Sequence, residues 1–362
     1  MPPQKLSDSG NLRVLPFRRH PVFLFNYSVN EPKNKKGEIE MKKKITALVM
    51  AAAMCLSFAA CGSDNSSDSG DATYTVGICQ LVQHDALDAA TQGFRDALTE
   101  ELGDKVEFVE QNASNDIPTC ATICNGFVSD GVDLILANAT PALQAAVAAT
   151  QTIPILGTSV TEYGVALDID NFSGTVGGNV SGTSDLAPLD QQAAMITELV
   201  PSAKTVGILY CSAEANSVYQ ADVVKAALEE QDITVKVYTF SDSNDVATVT
   251  ATACDECDAL YIPTDNTAAS CAEAINNVAL PKKTPIIAGE EGICSGCGIA
   301  TLSIDYYQLG VTTGKMAAKI LTGESDISTM PIEYYQNPVK KYNPEICEQL
   351  GITVPSDYTA IG

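Results

Sequence analysis

Tyr74-Thr75-Val76-Gly77-Ile78-Cys79 returns later in the chain as Lys204-Thr205-Val206-Gly207-Ile208-Leu209, and this echo decides the fold. Two more pairs follow in the same order. Gly131–Thr140 (GVDLILANAT) is matched by Cys257–Asn266 (CDALYIPTDN), and Thr152–Gly157 (TIPILG) by Thr284–Gly289 (TPIIAG). Each is a short apolar run closed by turn residues, which reads as a buried strand. The stretches between them are helical. Ala86–Leu102 sets Leu87, Ala90, Phe94, Ala97 and Leu98 on one face, and Asn216–Glu230 does the same with Val218, Val223, Ala226 and Ala227. Apolar strands alternating with helices require a parallel sheet covered on both sides. The expected fold class is therefore α/β, with two similar doubly wound parallel-sheet lobes joined by hinge crossovers. Residues 73–185 form the first lobe and 186–305 the second; 306–362 supply a crossover, a return helix (Val311–Leu321) and a tail over Pro331–Pro355 that crosses both lobes. The Gly- and Ser-rich stretch Asp168–Asp190 reads as one hinge and Asp305–Gln308 as another.

Upstream, Met41-Lys42-Lys43-Lys44 precedes an apolar run, Ile45–Ala60, that ends at Cys61. A basic start, an apolar middle and small residues before the break are the marks of a signal peptide, here residues 41–60. Phe58-Ala59-Ala60-Cys61 resembles a bacterial lipobox, with lipid attachment at Cys61; a plain signal peptide is the alternative. The polar segment 61–72 then reads as a flexible tether holding the protein at the outer face of the cell membrane. Residues 1–40 show neither periodicity nor caps, and Lys36-Gly37-Glu38 can be encoded by a ribosome-binding sequence ahead of Met41. They read as an over-extended gene start, against a real N-terminal extension.

The full chain has a formal charge of −24; removing residues 1–60, with ten basic and four acidic residues, takes it to −30. Such a surface repels phosphate backbones, which argues against nucleic acid as a partner. Of twelve cysteines, Cys55 and Cys61 fall in or beside the signal segment. Cys254/Cys257 and Cys294/Cys297 have metal-like spacing, but the pairs lie far apart and at opposite ends of expected strands, so no metal site is expected. Local disulfides, or small buried thiols, are the two open readings.

Ligands of doubly wound sheets bind beyond the carboxyl ends of the strands. The segments there carry Gln83, His84, Asn138, Thr140, Thr158, Ser159, Glu214, Asn216, Asp265, Asn266, Glu290 and Asp305. Any one of them could be a helix cap. Polar strand ends from both repeats point to a shared ligand cleft.

Several stretches together resemble the substrate-binding lipoproteins of ABC transporters of the tryptophan/tyrosine-binding type, over about residues 74–356. They are Val76–Asp88, Ala137–Pro141, Gly157–Thr161, Gly177–Gly182, Glu214–Ser217, Tyr261–Thr267, Ala288–Gly292 and Ile304–Gly310. Cys79, Cys211 and Cys297 depart from the small residues usual in that family. The resemblance implies a type I periplasmic-binding-protein-like fold, no enzyme activity and no cofactor. It also implies a monomer that delivers a small ligand, often an aromatic amino acid, to an ABC permease and its ATPase.

For such a zwitterion the ligand carboxylate is expected at Asn138–Thr140, Thr158 and Ser159, and the ammonium at Asp265, with Glu290 or Asp305 as alternatives. Tyr163, Phe172, Tyr210, Tyr306 and Tyr307 are candidates for an aromatic wall. A sensory lipoprotein, a nucleoside or sugar receptor and a small-molecule hydrolase are the competing readings. The last is weakened by a single histidine, His84, after the signal segment and by the lack of a Gly-x-Ser-x-Gly elbow.

Overall fold

The repeated segments begin the two sheets, and each sheet is built the same way. The computed structural model describes residues 73–362. The signal segment, Cys61, the tether and residues 1–40 lie outside the described residues. The first lobe runs β1 (Tyr74–Gln80), α1 (Asp85–Leu102), β2 (Val106–Asn112), α2 (Ile117–Asp130), β3 (Leu134–Asn138), α3 (Thr140–Ala149), β4 (Ile155–Val160), α4 (Tyr163–Ala166) and β5 (Val180–Ser184). The second runs α5 (Leu189–Leu199), β6 (Thr205–Cys211), α6 (Ala215–Glu229), β7 (Thr234–Phe240), α7 (Val246–Glu256), β8 (Ala259–Ile262), α8 (Asn266–Ser270), α9 (Ala272–Ala279), β9 (Ile286–Ala288), α10 (Glu291–Cys297) and β10 (Ala300–Ser303). The chain ends with α11 (Tyr306–Leu321), β11 (Glu333–Tyr334), β12 (Val339–Tyr342), α12 (Pro344–Leu350) and β13 (Thr359–Ala360).

The strand orders are β11-β5-β4-β3-β1-β2 and β13-β12-β10-β9-β8-β6-β7. Five consecutive strands of each sheet, β5-β4-β3-β1-β2 and β10-β9-β8-β6-β7, share one topology, with the order reversing between β1 and β3 and between β6 and β8. That reversal opens the crevice in which doubly wound proteins bind ligands. Val76 lies opposite Leu134, and Val206 opposite Ala259. The repeat in space thus pairs Leu134 with Ala259, one residue off the match that the letters alone suggest. Two carboxylates mark the same point in each lobe: Asp133 accepts from the Thr75 N–H at 2.7 Å, and Asp258 from the Thr205 N–H at 2.9 Å. Apolar clusters cover both faces of both sheets.

Three sequence expectations meet the structure here, and two are corrected. The stretch Asp168–Asp190 is not all hinge, because β5 lies inside it and pairs with β4 and β11. Gly182 is required there: at φ 148° an added Cβ would stand 2.1 Å from the Gly157 carbonyl. The return helix begins at Tyr306 instead of Val311, because Asp305 caps it by accepting from the Gln308 N–H at 3.0 Å. The tail does reach both sheets, through β11 in the first and β12 and β13 in the second.

Helix α11 follows the second lobe in the chain but packs on the first. Its Gly310 lies so close to α1 that a Cβ would stand 2.0 Å from the Ala90 carbonyl; Gly93 of α1 meets Tyr307 in the same way. Among the described residues no helix is long and apolar enough to cross a membrane.

Candidate ligand cleft

The strand ends of the two lobes face each other around a cavity of about 10 Å³, room for roughly one water. The first lobe and its crossover supply His84, Leu87, Ser159 and Asp185; the second lobe supplies Asn216, Thr264, Asp265, Asn266, Ala269 and Glu290; Tyr306, at the start of α11, completes the lining. Among the described residues no lysine or arginine lines it. Four of the lining residues hold a buried polar atom with no partner: Nδ1 of His84, Oγ of Ser159, Oδ1 of Asp185 and Oδ1 of Asn216. Buried polar atoms are rarely left unpaired, so their convergence marks a place built for something polar.

Two first-lobe residues near the strand ends are strained, and of these only Ser159 lines the cavity. Ala139, just before α3, has φ 94°, and Ser159, near the end of β4, has φ 53°. Left-handed backbone at non-glycine residues is costly and concentrates at functional sites. Ala139 offers no side-chain cap to α3, and Thr140 Oγ1 beside it also lacks a partner. Helix starts favour anions; at this one Pro141 carries no N–H, the Ala139 N–H donates to the Thr158 carbonyl at 3.0 Å, and Thr140, one of the expected site residues, lies outside the cavity lining.

The expected site residues separate into distinct groups. His84, Ser159, Asn216, Asp265, Asn266 and Glu290 line the cavity. Gln83 is exposed and does not. Asn138 turns inward, its amide donating to the Leu87 carbonyl at 2.8 Å and to Thr91 at 2.9 Å. Thr158 also faces away, into a hydroxyl cluster with Thr183 and Thr313. Glu214 is buried beneath the cleft floor, where it accepts from the N–H groups of Asn266 and Thr267 and from their side chains. Asp305 is exposed and borders a second cavity of about 510 Å³, lined also by Tyr307 and Tyr335, which shares Glu290 and Tyr306 with the small one.

The acids expected to hold an ammonium are already occupied. Asp265 accepts from the Ala268 N–H and the Cys211 N–H, both at 2.7 Å. Burial and the neighbouring Glu214 push its carboxyl up to about 8. Glu290 caps α10 by accepting from the N–H groups of Gly292 and Ile293, and burial raises its carboxyl too. Asp185, absent from the expected set, is different. It is 3% exposed, one oxygen accepts from the Tyr306 hydroxyl at 3.0 Å, and the other is free. Burial raises its carboxyl.

Of the aromatic candidates only Tyr306 lines the cavity. Tyr163 is a first-lobe core residue whose hydroxyl donates to the Thr183 carbonyl at 3.0 Å. Phe172 packs on the same core and Tyr210 lies in the second-lobe core. Tyr307 points outward to Asp96. All ten cysteines among the described residues are free thiols, and no His/Cys/Asp/Glu group among them could hold a metal ion.

Two equivalent α/β lobes around a polar, acid-lined crevice define a two-lobed solute-binding protein with the type I periplasmic-binding-protein-like fold. The family described as ABC transporter substrate binding protein matches residues 75–360, and the chain belongs to that family. It is 36% identical to a tyrosine-binding protein of Clostridioides difficile, over 80% of this chain and 87% of the relative. A Streptococcus pneumonia ABC-domain crystal structure in complex with L-Trp superposes with a TM-score of 0.76 at 32% identity, covering 80% of this chain and all of that one. The ligand-free, open structure of a Clostridium difficile substrate-binding protein with adhesive properties gives 0.62 at 37% identity, over 80% and 99% of the two chains. The L-Trp complex thus overlays better despite its lower identity.

Proposed function

We propose that this protein is an extracytoplasmic receptor, anchored through lipid on Cys61, that captures an aromatic amino acid between its lobes and hands it to an ABC permease without chemical change. The observation that carries the reading is the convergence of unpartnered polar atoms from both lobes on one cavity with four buried acids in or beneath its walls and no lysine or arginine among the described residues that line it. Such an acid-rich cavity is completed by a positive charge. The ligand ammonium is assigned to the free oxygen of Asp185, with Tyr306 holding the other oxygen. The ligand carboxylate is assigned to Ser159, Thr140 and the start of α3. His84 and Asn216 supply further polar contacts. The L-Trp bound to the Streptococcus relative and the name of the Clostridioides relative support an aromatic side chain. Such a ligand far exceeds a space of about 10 Å³, so the lobes part to admit it.

A thermal-shift screen of the purified protein against all twenty amino acids, nucleosides and simple sugars tests this. A ligand at a hundredfold excess over its dissociation constant adds about 2.7 kcal/mol of stability. Tryptophan, tyrosine or phenylalanine should give the largest shifts and be recovered unchanged. Stabilisation by nucleosides or sugars alone, or conversion of the ligand, overturns the assignment.

A further inference from the structure

The two lobes also touch each other directly, through side chains of their own. Asn115 of the first lobe donates its amide N–H to Thr267 Oγ1 of the second at 3.0 Å. His84 Nε2 lies 3.2 Å from Asn266 Oδ1. Both second-lobe partners are held by one buried carboxylate. Glu214 Oε1 accepts from the Thr267 N–H at 2.9 Å and from its hydroxyl at 2.8 Å. Glu214 Oε2 accepts from the Asn266 N–H at 3.0 Å and from its side-chain amide at 2.6 Å.

The chemistry fixes every direction in this network. A carboxylate only accepts, so the amide NH₂ of Asn266 must face Glu214, which turns Oδ1 toward His84. His84 Nε2 then carries the hydrogen, and Nδ1, which has no protein partner, is left facing the cavity. Thr267 spends its one hydroxyl hydrogen on Glu214 and so must accept from Asn115. All members of the Glu214 cluster belong to the second lobe, so they are set before the lobes meet. On the other side, Ser114 and Asn115 have φ 53° and 63°, two left-handed residues in succession. The Asn115 N–H is tied to the Leu81 carbonyl at 2.8 Å. That costly turn aims the Asn115 side chain across the cleft.

We infer that Asn266 and Thr267, both bonded to Glu214, form one half of a latch whose other half is His84 and Asn115. The latch supplies part of the closing energy from the protein itself. It slows ligand escape and shifts the open–closed balance before any ligand contributes. The inference rests on the two-lobed receptor reading but not on which ligand is bound.

Asn115→Gly removes the side chain and tolerates the left-handed backbone. Thr267→Val removes the hydroxyl, and Thr267→Ser keeps it. Small-angle X-ray scattering without added ligand, and stopped-flow release of L-Trp or L-Tyr, read the effect. Asn115→Gly and Thr267→Val should each enlarge the unliganded radius of gyration and speed release about fivefold, the worth of one hydrogen bond. Their double variant should match either single, and Thr267→Ser should behave as the parent. An unchanged radius and release rate in both single variants, or fully additive effects, overturns the latch. If neither amino acid binds, the ligand assignment fails while the scattering comparison still decides the latch.

Discussion

Replacing Asp185 by asparagine separates binding from stability, and the two should move in opposite directions. The side chain is 3% exposed and has one free oxygen; a carboxamide in its place could still accept from Tyr306 through its own oxygen. The change therefore removes charge with little loss of shape. At about 3 Å and an effective dielectric of about 20, an ammonium facing the carboxylate gains about 5 kcal/mol of Coulomb energy. Part of this is offset by stripping water from both ions, and measured losses for buried charged pairs run about 2–5 kcal/mol. We expect a loss of about 3 kcal/mol, near 150-fold in dissociation constant, by isothermal titration with the amino acid that gives the largest thermal shift. The deaminated analogue of that ligand, indole-3-propionate in the case of tryptophan, should lose little on the same substitution. Burial raises the Asp185 carboxyl, so its charge is a burden on the unliganded fold. Asp185→Asn without ligand should thus melt no lower than the parent. A folded Asp185→Asn protein that binds the amino acid within threefold of the parent would refute the assignment.

Ser159→Ala and Thr140→Val should each weaken amino-acid binding about five- to tenfold, and the methyl ester of the ligand should be insensitive to both; equal losses for acid and ester would move the carboxylate elsewhere. Asp265 sits at about 8 against an ordinary 3.8, so the folded state binds its proton more tightly than the unfolded chain. Stability should then fall as pH rises from about 4 to about 8, by at most about 1.4 kcal/mol per pH unit for this group, with Asp185 and Glu290 acting in the same direction; urea titrations at pH 5, 6.5 and 8 read it. Gly310→Ala should cost about 3 kcal/mol in thermal unfolding, because its Cβ would stand 2.0 Å from the backbone oxygen of Ala90; an unchanged melting point contradicts the close helix contact. A maleimide applied to the native protein should label the half-buried Cys254, Cys257 and Cys271 first, and the seven buried thiols of the described region only on unfolding, as mass spectrometry of timed samples would show.

The repeated Thr-Val-Gly-Ile segments were enough to read two equivalent lobes, because apolar strands and turn residues are local signals. The strand ends were legible as a group and misleading one by one. Thr158 and Ser159 are neighbours at an irregular end of β4, where Ser159 turns left-handed; only Ser159 reaches the cleft, and Thr158 meets α11. Asp265 and Glu290 looked like free carboxylates but serve as caps, a role the sequence favours equally. Asp185 went unnoticed because glycine and serine around β5 disguised a strand as a hinge, and with it the strand end that carries the acid. Asn115 gave no periodic signal, and its reach across the cleft depends on a left-handed turn that only the folded backbone reveals.

The placement of α11 and β11 bears on how the protein is made. Both complete the first lobe, yet both are encoded after the second. A ribosome working from the amino end must therefore release most of the second lobe before the first can seal its outer helix and edge strand. Half-finished, the first lobe leaves the face of α1 that Gly310 later covers bare to the surroundings. For a chain of this design, synthesis order and assembly order do not coincide, and nascent-chain helpers would have most to protect in that interval.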